Sequence, residues 1–124
     1  MLAHVSVQCA DPAASRAFYE AVLEPLGGKP LRDFGDHVGF GREVTGPLFF
    51  IGPVNTSGGP HDDVHIAFDA RSRAEVDAFV AVARSRGAEV LYEPQEWWYG
   101  EGYYGGFVRD PDGNNVEARY FPAT

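Results

Sequence analysis

The sequence predicts an α+β fold made of two tandem β-α-β-β-β modules whose strands form a curved mixed sheet around a cleft. Three observations predict it. The stretch "HVSVQCADPAASRAFYEAVLEPLGG" from residue 4 matches "HIAFDARSRAEVDAFVAVARSRGAE" from residue 65 in pattern, at an offset of 61 residues. Each stretch holds a short alternating run followed by one helix with its own start and stop signals. Between them, "GPVNTSGGPHDD" (52–63) is rich in Gly, Pro and polar residues and carries no period. The 124 residues therefore divide into module one (1–52), a linker (53–62) and module two (63–124), within one domain.

At the offset of 61, His4 meets His65, Asp11 meets Ser72 and Phe18 meets Phe79, while Gly27 and Gly87 correspond within one position. In the first strand, alternation sends Val5, Val7 and Cys9 to the helix and His4, Ser6 and Gln8 to the other face. The first helix opens on Asp11 as N-cap with Pro12 behind it, repeats Phe18, Val22 and Leu26 at helical spacing, and ends at Gly27-Gly28. The fifth strand turns Ile66 and Phe68 to its helix and His65, Ala67 and Asp69 away. The second helix opens on the capping-box spacing of Ser72 and Glu75, buries Val76, Phe79, Val80 and Ala83, and stops at Gly87. Near the end, "DPDG" is a turn, and the strand "NNVEARY" sets Asn115, Glu117 and Arg119 against Val116, Ala118 and Tyr120.

Composition narrows the function. With 44% hydrophobic and 14% aromatic residues the chain can bury a core. Ten basic against 18 acidic residues leave a net charge of −8, which disfavours nucleic acid and anionic lipid. No apolar run approaches a membrane span and "MLAHVSVQ" lacks signal-peptide regions, so the expected address is cytoplasmic. The single Cys9 excludes an internal disulfide and a multi-cysteine zinc site, and reads as a small buried hydrophobe.

His4, His65 and Glu117 all fall on non-helix faces. If those faces curl together, two imidazoles and one carboxylate converge, a set that holds a divalent ion and leaves positions open for water or substrate. Otherwise the face is simply wet and Glu117 is solvated. "EWWYGEGYYGGF" (96–107) concentrates aromatic surface: Trp97, Trp98, Tyr99, Tyr103 and Tyr104 could wall or cover a pocket, with the phenol of Tyr103 or Tyr104 orienting an oxygen, or could equally be core or interface. Gly105-Gly106 marks a bulge or a close backbone approach. Arg42, Arg109 and Arg119 are candidates for an anionic substrate or a solvated face, and His37 and His61 fall in turn or linker contexts.

The paired modules, "HVSV", "SRAFYEAVLEPLG", "HIAF" and above all "FVRDPDGNNVEA" resemble the vicinal oxygen chelate superfamily of glyoxalases, bleomycin-resistance proteins and extradiol dioxygenases, over the whole chain. The resemblance implies a divalent metal (Fe, Mn, Ni or Zn) held by His4, His65 and Glu117. It also implies a lyase, isomerase or dioxygenase acting on a small oxygen-chelating substrate, and a homodimer. Two departures stand out. Aligning Gly46 with Gly113 puts Phe50 opposite Glu117, where glyoxalases place a fourth ligand, and Phe107 stands where ring-cleaving dioxygenases carry a Tyr. Phe50, Trp98 and Phe107 are therefore expected to contact substrate, with Tyr103 and Tyr104 as candidate catalytic groups. The competing reading is a metal-free protein that sequesters an apolar, planar or cationic small molecule, and a third is a regulatory partner whose aromatic patch is an interface.

Overall fold

The computed structural model describes residues 2–54 and 64–122. The two modules appear as expected. Module one runs β1 (His4–Cys9), α1 (Pro12–Leu23), β2 (Lys29–Asp33), β3 (Val38–Gly41) and β4 (Leu48–Pro53). Module two runs β5 (His65–Asp69), α2 (Arg73–Ser85), β6 (Val90–Glu96), β7 (Tyr104–Arg109) and β8 (Asn115–Tyr120). Each gives a four-stranded mixed sheet, ordered β1-β4-β3-β2 and β5-β8-β7-β6, in which the first and last strands of the module pair in parallel. Strand β4 runs through Pro53, and most of the expected linker, with His61, lies outside the described residues.

The helix signals act as read. Asp11 accepts from the Ala14 amide at 3.1 Å and Ser72 from the Glu75 amide at 3.2 Å, each satisfying a first-turn donor. The reciprocal half of the capping box does not form: the Glu75 carboxylate takes the Arg71 amide and guanidinium instead. Helix α1 also stops earlier than its spacing implies. Leu26 is buried, but in a 3₁₀ turn over Glu24–Leu26, because Pro25 has no N–H with which to continue the α-helix. Gly27 and Gly87, both at φ 82°, then reverse the chain at equivalent points.

Each helix covers one face of its own sheet, and the helices pack on each other. One core therefore runs through both modules, joining Phe18, Tyr19, Val22, Phe40 and Ile51 to Val76, Phe79, Val80, Val108 and Val116, with Cys9 inside it. Phe68 of module two meets Phe49 and Tyr19 of module one, with ring centroids 5.1 and 6.4 Å away. Two polar ties fix the pair. Arg42 donates to the backbone oxygens of Leu26 and Asp69, carrying the β3–β4 turn onto the end of β5. Reciprocally, Asp112 in the β7–β8 turn accepts from the Ala10 amide at 2.8 Å and the Ser15 hydroxyl at 3.3 Å. The neighbouring Asp110 is buried and fully engaged: it accepts from the Tyr19 hydroxyl (2.6 Å), the Asn114 side chain (2.9 Å) and two backbone amides. With the helices between them, the two sheets turn their other faces away from the common core.

Candidate functional site

The outer faces carry the chemistry, and pairing register defines each one. In module two, Ala67 pairs with Glu117, Glu117 with Phe107, and Phe107 with Tyr92, so a row of four side chains crosses the sheet. In module one the equivalent row is Ser6, Phe50, Gly39 and Arg32. Phe50 thus occupies in module one the position that Glu117 occupies in module two, as the glycine alignment predicts.

Glu117 is 3% exposed, unusual for a carboxylate on a face with no helix over it. Its partners explain how it is held there. Tyr103 donates its hydroxyl to one carboxylate oxygen at 2.6 Å, and the Nε2 of His65 lies 3.0 Å from the other. The room comes from Gly105, where a Cβ would stand 2.9 Å from the Tyr103-bound oxygen. Gly105-Gly106 is therefore a close backbone approach, with Gly106 making room for Val80 and Pro94 on the opposite face. Burial, then the bond to and the charge of Glu117, push the Tyr103 phenol above its ordinary range. The phenol keeps its proton at neutral pH.

An aromatic wall flanks this group. Phe107, itself buried, meets His65, Tyr92 and Trp97 at centroid distances of 5.7, 5.7 and 5.3 Å, and Trp97 is fixed by its Nε1–H donating to the Gly105 oxygen. Trp97 stacks on Tyr99, which meets Tyr103 edge-on. The Oδ1 of Asn115, paired in register with His65, is buried with no hydrogen-bond partner among the described residues.

The other expected residues fall elsewhere. Tyr104 is on the helix side of β7, donating to Asp77 of α2 at 2.7 Å beneath the Arg73 guanidinium, and this separates it from Tyr103. Trp98 is 87% exposed and touches Tyr99, while its neighbour Trp97 makes the wall. Arg119 lies over the rings of Tyr103 and Phe121 and near Asp69. Arg42 and Arg109 are engaged with backbone oxygens.

His4 does not join His65 and Glu117. It packs edge-on against Phe50 at 5.6 Å and lines a hollow of about 530 Å³ with Ser6, Arg32, Phe34, His37, Leu48 and Phe50. Of these, Arg32 and Phe34 carried no signal in the linear sequence, and His37 read only as a turn residue. Among the described residues no three His, Cys, Asp or Glu side chains come together to hold a metal ion. The module-two face supplies one imidazole and one carboxylate, with the second carboxylate oxygen taken by Tyr103. Among the described residues no second imidazole reaches this pair, and a divalent ion would fit the donor set only with one.

Comparison with known proteins agrees with this architecture. The family model of the Glyoxalase/Bleomycin resistance protein/Dioxygenase superfamily matches residues 1–118. The uncharacterized protein YqjT of Bacillus subtilis (strain 168) is 28% identical, over 92% of this chain and 94% of its own. A crystal structure of a glyoxalase/bleomycin resistance protein from Albidiferax ferrireducens T118 superposes with a TM-score of 0.82 at 29% identity, covering 98% of this chain and 99% of that one. The lactoylglutathione lyase of Agrobacterium tumefaciens superposes with a TM-score of 0.69 at 25% identity, covering 97% and 92%.

Proposed function

This chain belongs to the Glyoxalase/Bleomycin resistance protein/Dioxygenase superfamily, and on that premise we propose that it is a divalent-metal-dependent enzyme of lyase, isomerase or dioxygenase type, acting on a small oxygen-chelating substrate. The observation that carries the proposal is the Glu117 carboxylate, buried at the centre of an otherwise open face between His65 and Tyr103. A buried carboxylate is costly unless paired, and a site that needs a fixed anion gives it a reason to be there.

In this reading His65 and Glu117 hold the ion together with His4 of a second copy. Three features support closure by a second copy. Strands β1 and β5 are both unpaired sheet edges, with Val5 and Val64 exposed along them. An apolar groove of about 380 Å³, lined by Val5, Leu48, Ile66 and Phe68 among others, lies between the two edges. The outer faces also differ in a way that suits pairing, one presenting the unpaired Arg32 beside His4 and the other the buried carboxylate of Glu117 beside His65.

A bound ion would act as a Lewis acid on substrate oxygens. The chain's own groups do the rest. Glu117 is fixed by Tyr103 and so is preorganised, and Tyr103 keeps a proton at the phenol oxygen, within reach of whatever displaces Glu117 from it. Phe107, buried against Trp97, shields one side from water. The aromatic wall also supports a second reading, in which the face sequesters a planar molecule without metal.

Elemental mass spectrometry on untagged, dialysed protein, with sedimentation on the same sample, tests the first reading. About one Fe, Mn, Ni or Zn per chain in a dimer is expected, lost in His4→Ala, His65→Ala and Glu117→Ala with the fold retained. A variant that keeps its metal removes that residue from the set. No metal after reloading overturns the enzyme reading in favour of sequestration.

A further inference from the structure

We propose that the outer face of module one is an anion-binding subsite for a small molecule with a planar, unsaturated body and a carboxylate or phosphate head group, gripped by Arg32. Six of the arginines are occupied by carboxylates: Arg16 with Glu20 and Asp33, Arg71 with Glu75, Arg73 with Glu96, Arg84 with Glu93, Arg109 with Glu89 and Arg119 with Asp69. Arg42 is spent on backbone oxygens, and Arg86, which likewise meets no carboxylate among the described residues, stands exposed at the C-cap of α2, away from the hollow. Arg32 lines the hollow of about 530 Å³ and meets no carboxylate among the described residues. In a chain with 18 acidic residues, a guanidinium left unpaired in a concavity is a place kept for an anion from outside.

The rest of the hollow fits such a ligand. Phe50 lies over Gly39, the register partner of Arg32, where a Cβ would come within 2.7 Å of the ring, so the missing side chain lets the ring lie low on the sheet in the same hollow as Arg32. Phe34, 68% exposed, is nearly parallel to Phe50, 13° between planes at 6.5 Å, offering a second plate for a planar body. His37 is oriented by its Nδ1–H donating to Asp36 at 2.8 Å, which sets the opposite edge of the ring over Gly52. Ser6 adds a hydroxyl on the same row.

That this subsite receives part of the substrate rests on the face-to-face assembly proposed above; that it binds an anion does not. Calorimetric titration of the dialysed protein with benzoate, phenyl phosphate and benzylamine separates the chemistries. Benzoate or phenyl phosphate is expected to bind, the tighter of the two naming the head group, and benzylamine is not. Arg32→Gln should weaken anion binding by about tenfold and Arg32→Lys by less, because the charge remains but the fork is lost. Equal binding of benzylamine, no binding of either anion, or an Arg32→Gln variant with unchanged affinity overturns the proposal. Titration of protein stripped of metal with a chelator separates it from the metal reading: the metal-free protein should keep its anion affinity, and loss of anion binding there would place the anion on the metal and overturn the subsite.

Discussion

The outer faces of the two modules share one backbone plan and differ in nearly every side chain it presents. At the sheet edge each carries a histidine, His4 or His65. Across the sheet, Ser6, Phe50, Gly39 and Arg32 in one correspond to Ala67, Glu117, Phe107 and Tyr92 in the other. The histidine of module one meets a phenyl ring and that of module two a carboxylate. Inside, the modules stay alike: Phe18 and Phe79 are both buried, and Gly27 and Gly87 share one φ. The helix side is constrained by close packing, whereas among the described residues no helix packs on the outer rows. The result is two different halves, one with an unpaired guanidinium among aromatic rings and one with a buried carboxylate among aromatic rings, and not two copies of a site.

The largest effect should come from the β7–β8 turn, whose buried Asp110–Asn114 network has no counterpart in the β3–β4 turn among the described residues. Asn114 is buried, donates to Asp110 and accepts from the Val64 amide at 3.0 Å, fixing the start of the strand that carries His65. Asn114→Ala leaves the Val64 amide without its acceptor and the buried Asp110 carboxylate underpaired, and should cost about 3 kcal/mol in urea unfolding. Pro47 stands at the equivalent place beside Gly46, and Pro47→Ala should cost about 0.5 kcal/mol or less. Similar costs at both positions would break the asymmetry.

Tyr19 is the other end of that network, and Tyr19→Phe should cost about 2 kcal/mol at neutral pH, the range of a buried hydrogen bond to a charged group. Burial first, then the Asp110 charge, push the Tyr19 phenol well above its ordinary range. The folded state thus keeps a proton that the unfolded chain releases near pH 10. Stability from this source is complete below about pH 10 and falls as pH rises beyond it, because the unfolded state there binds fewer protons. Unfolding curves at rising alkaline pH should show this decline in the parent and a shallower one in Tyr19→Phe.

Gly105→Ala tests the module-two face directly and should cost about 1.5 kcal/mol. Its Cβ would crowd the Glu117 oxygen that Tyr103 holds, so the bond between them must lengthen or break. The readout is the Tyr103 phenol, whose absorbance titration should move down toward the ordinary tyrosine range. An unmoved titration would mean that Glu117 does not depend on the space at Gly105.

Much of this was legible in the sequence because the repeat is local in its signals. Asp11, Ser72, Gly27 and Gly87 punctuate each helix within a few residues, and the offset alone pairs His4 with His65. The match of Phe50 to Glu117 needed only two glycines. What escaped depends on pairing between strands. Arg32 reaches the outer row across a register shift between Pro30 and Arg32, and Tyr92 sits between two more, so alternation along those strands does not give their faces. Tyr104 was readable: Phe107 is an odd number of positions away, which puts the two on opposite faces of β7. That His4 and Glu117 stay apart within one chain follows from the two helices packing on each other, a contact between distant segments that neither helix announces in its own periodicity.

The smallest effect is also the sharpest test of how the halves meet. Phe50→Glu gives module one the carboxylate that module two already has, beside His4 at the matching register position. Phe50 is only half-buried, so the fold should lose little, chiefly the contacts with His4 and Phe34. If the faces of two copies close on each other, the added carboxylate enters the same site as His4, His65 and Glu117 and supplies a fourth ligand. Metal affinity should then rise by about tenfold, equivalent to about 1.4 kcal/mol, in competition with a chelator. If instead the two faces never meet, the new carboxylate stands alone with His4 on an open sheet, and affinity should not change. Adding His65→Ala to Phe50→Glu separates a shared site from a new one: a shared site loses its metal, while an ion held by module one alone does not.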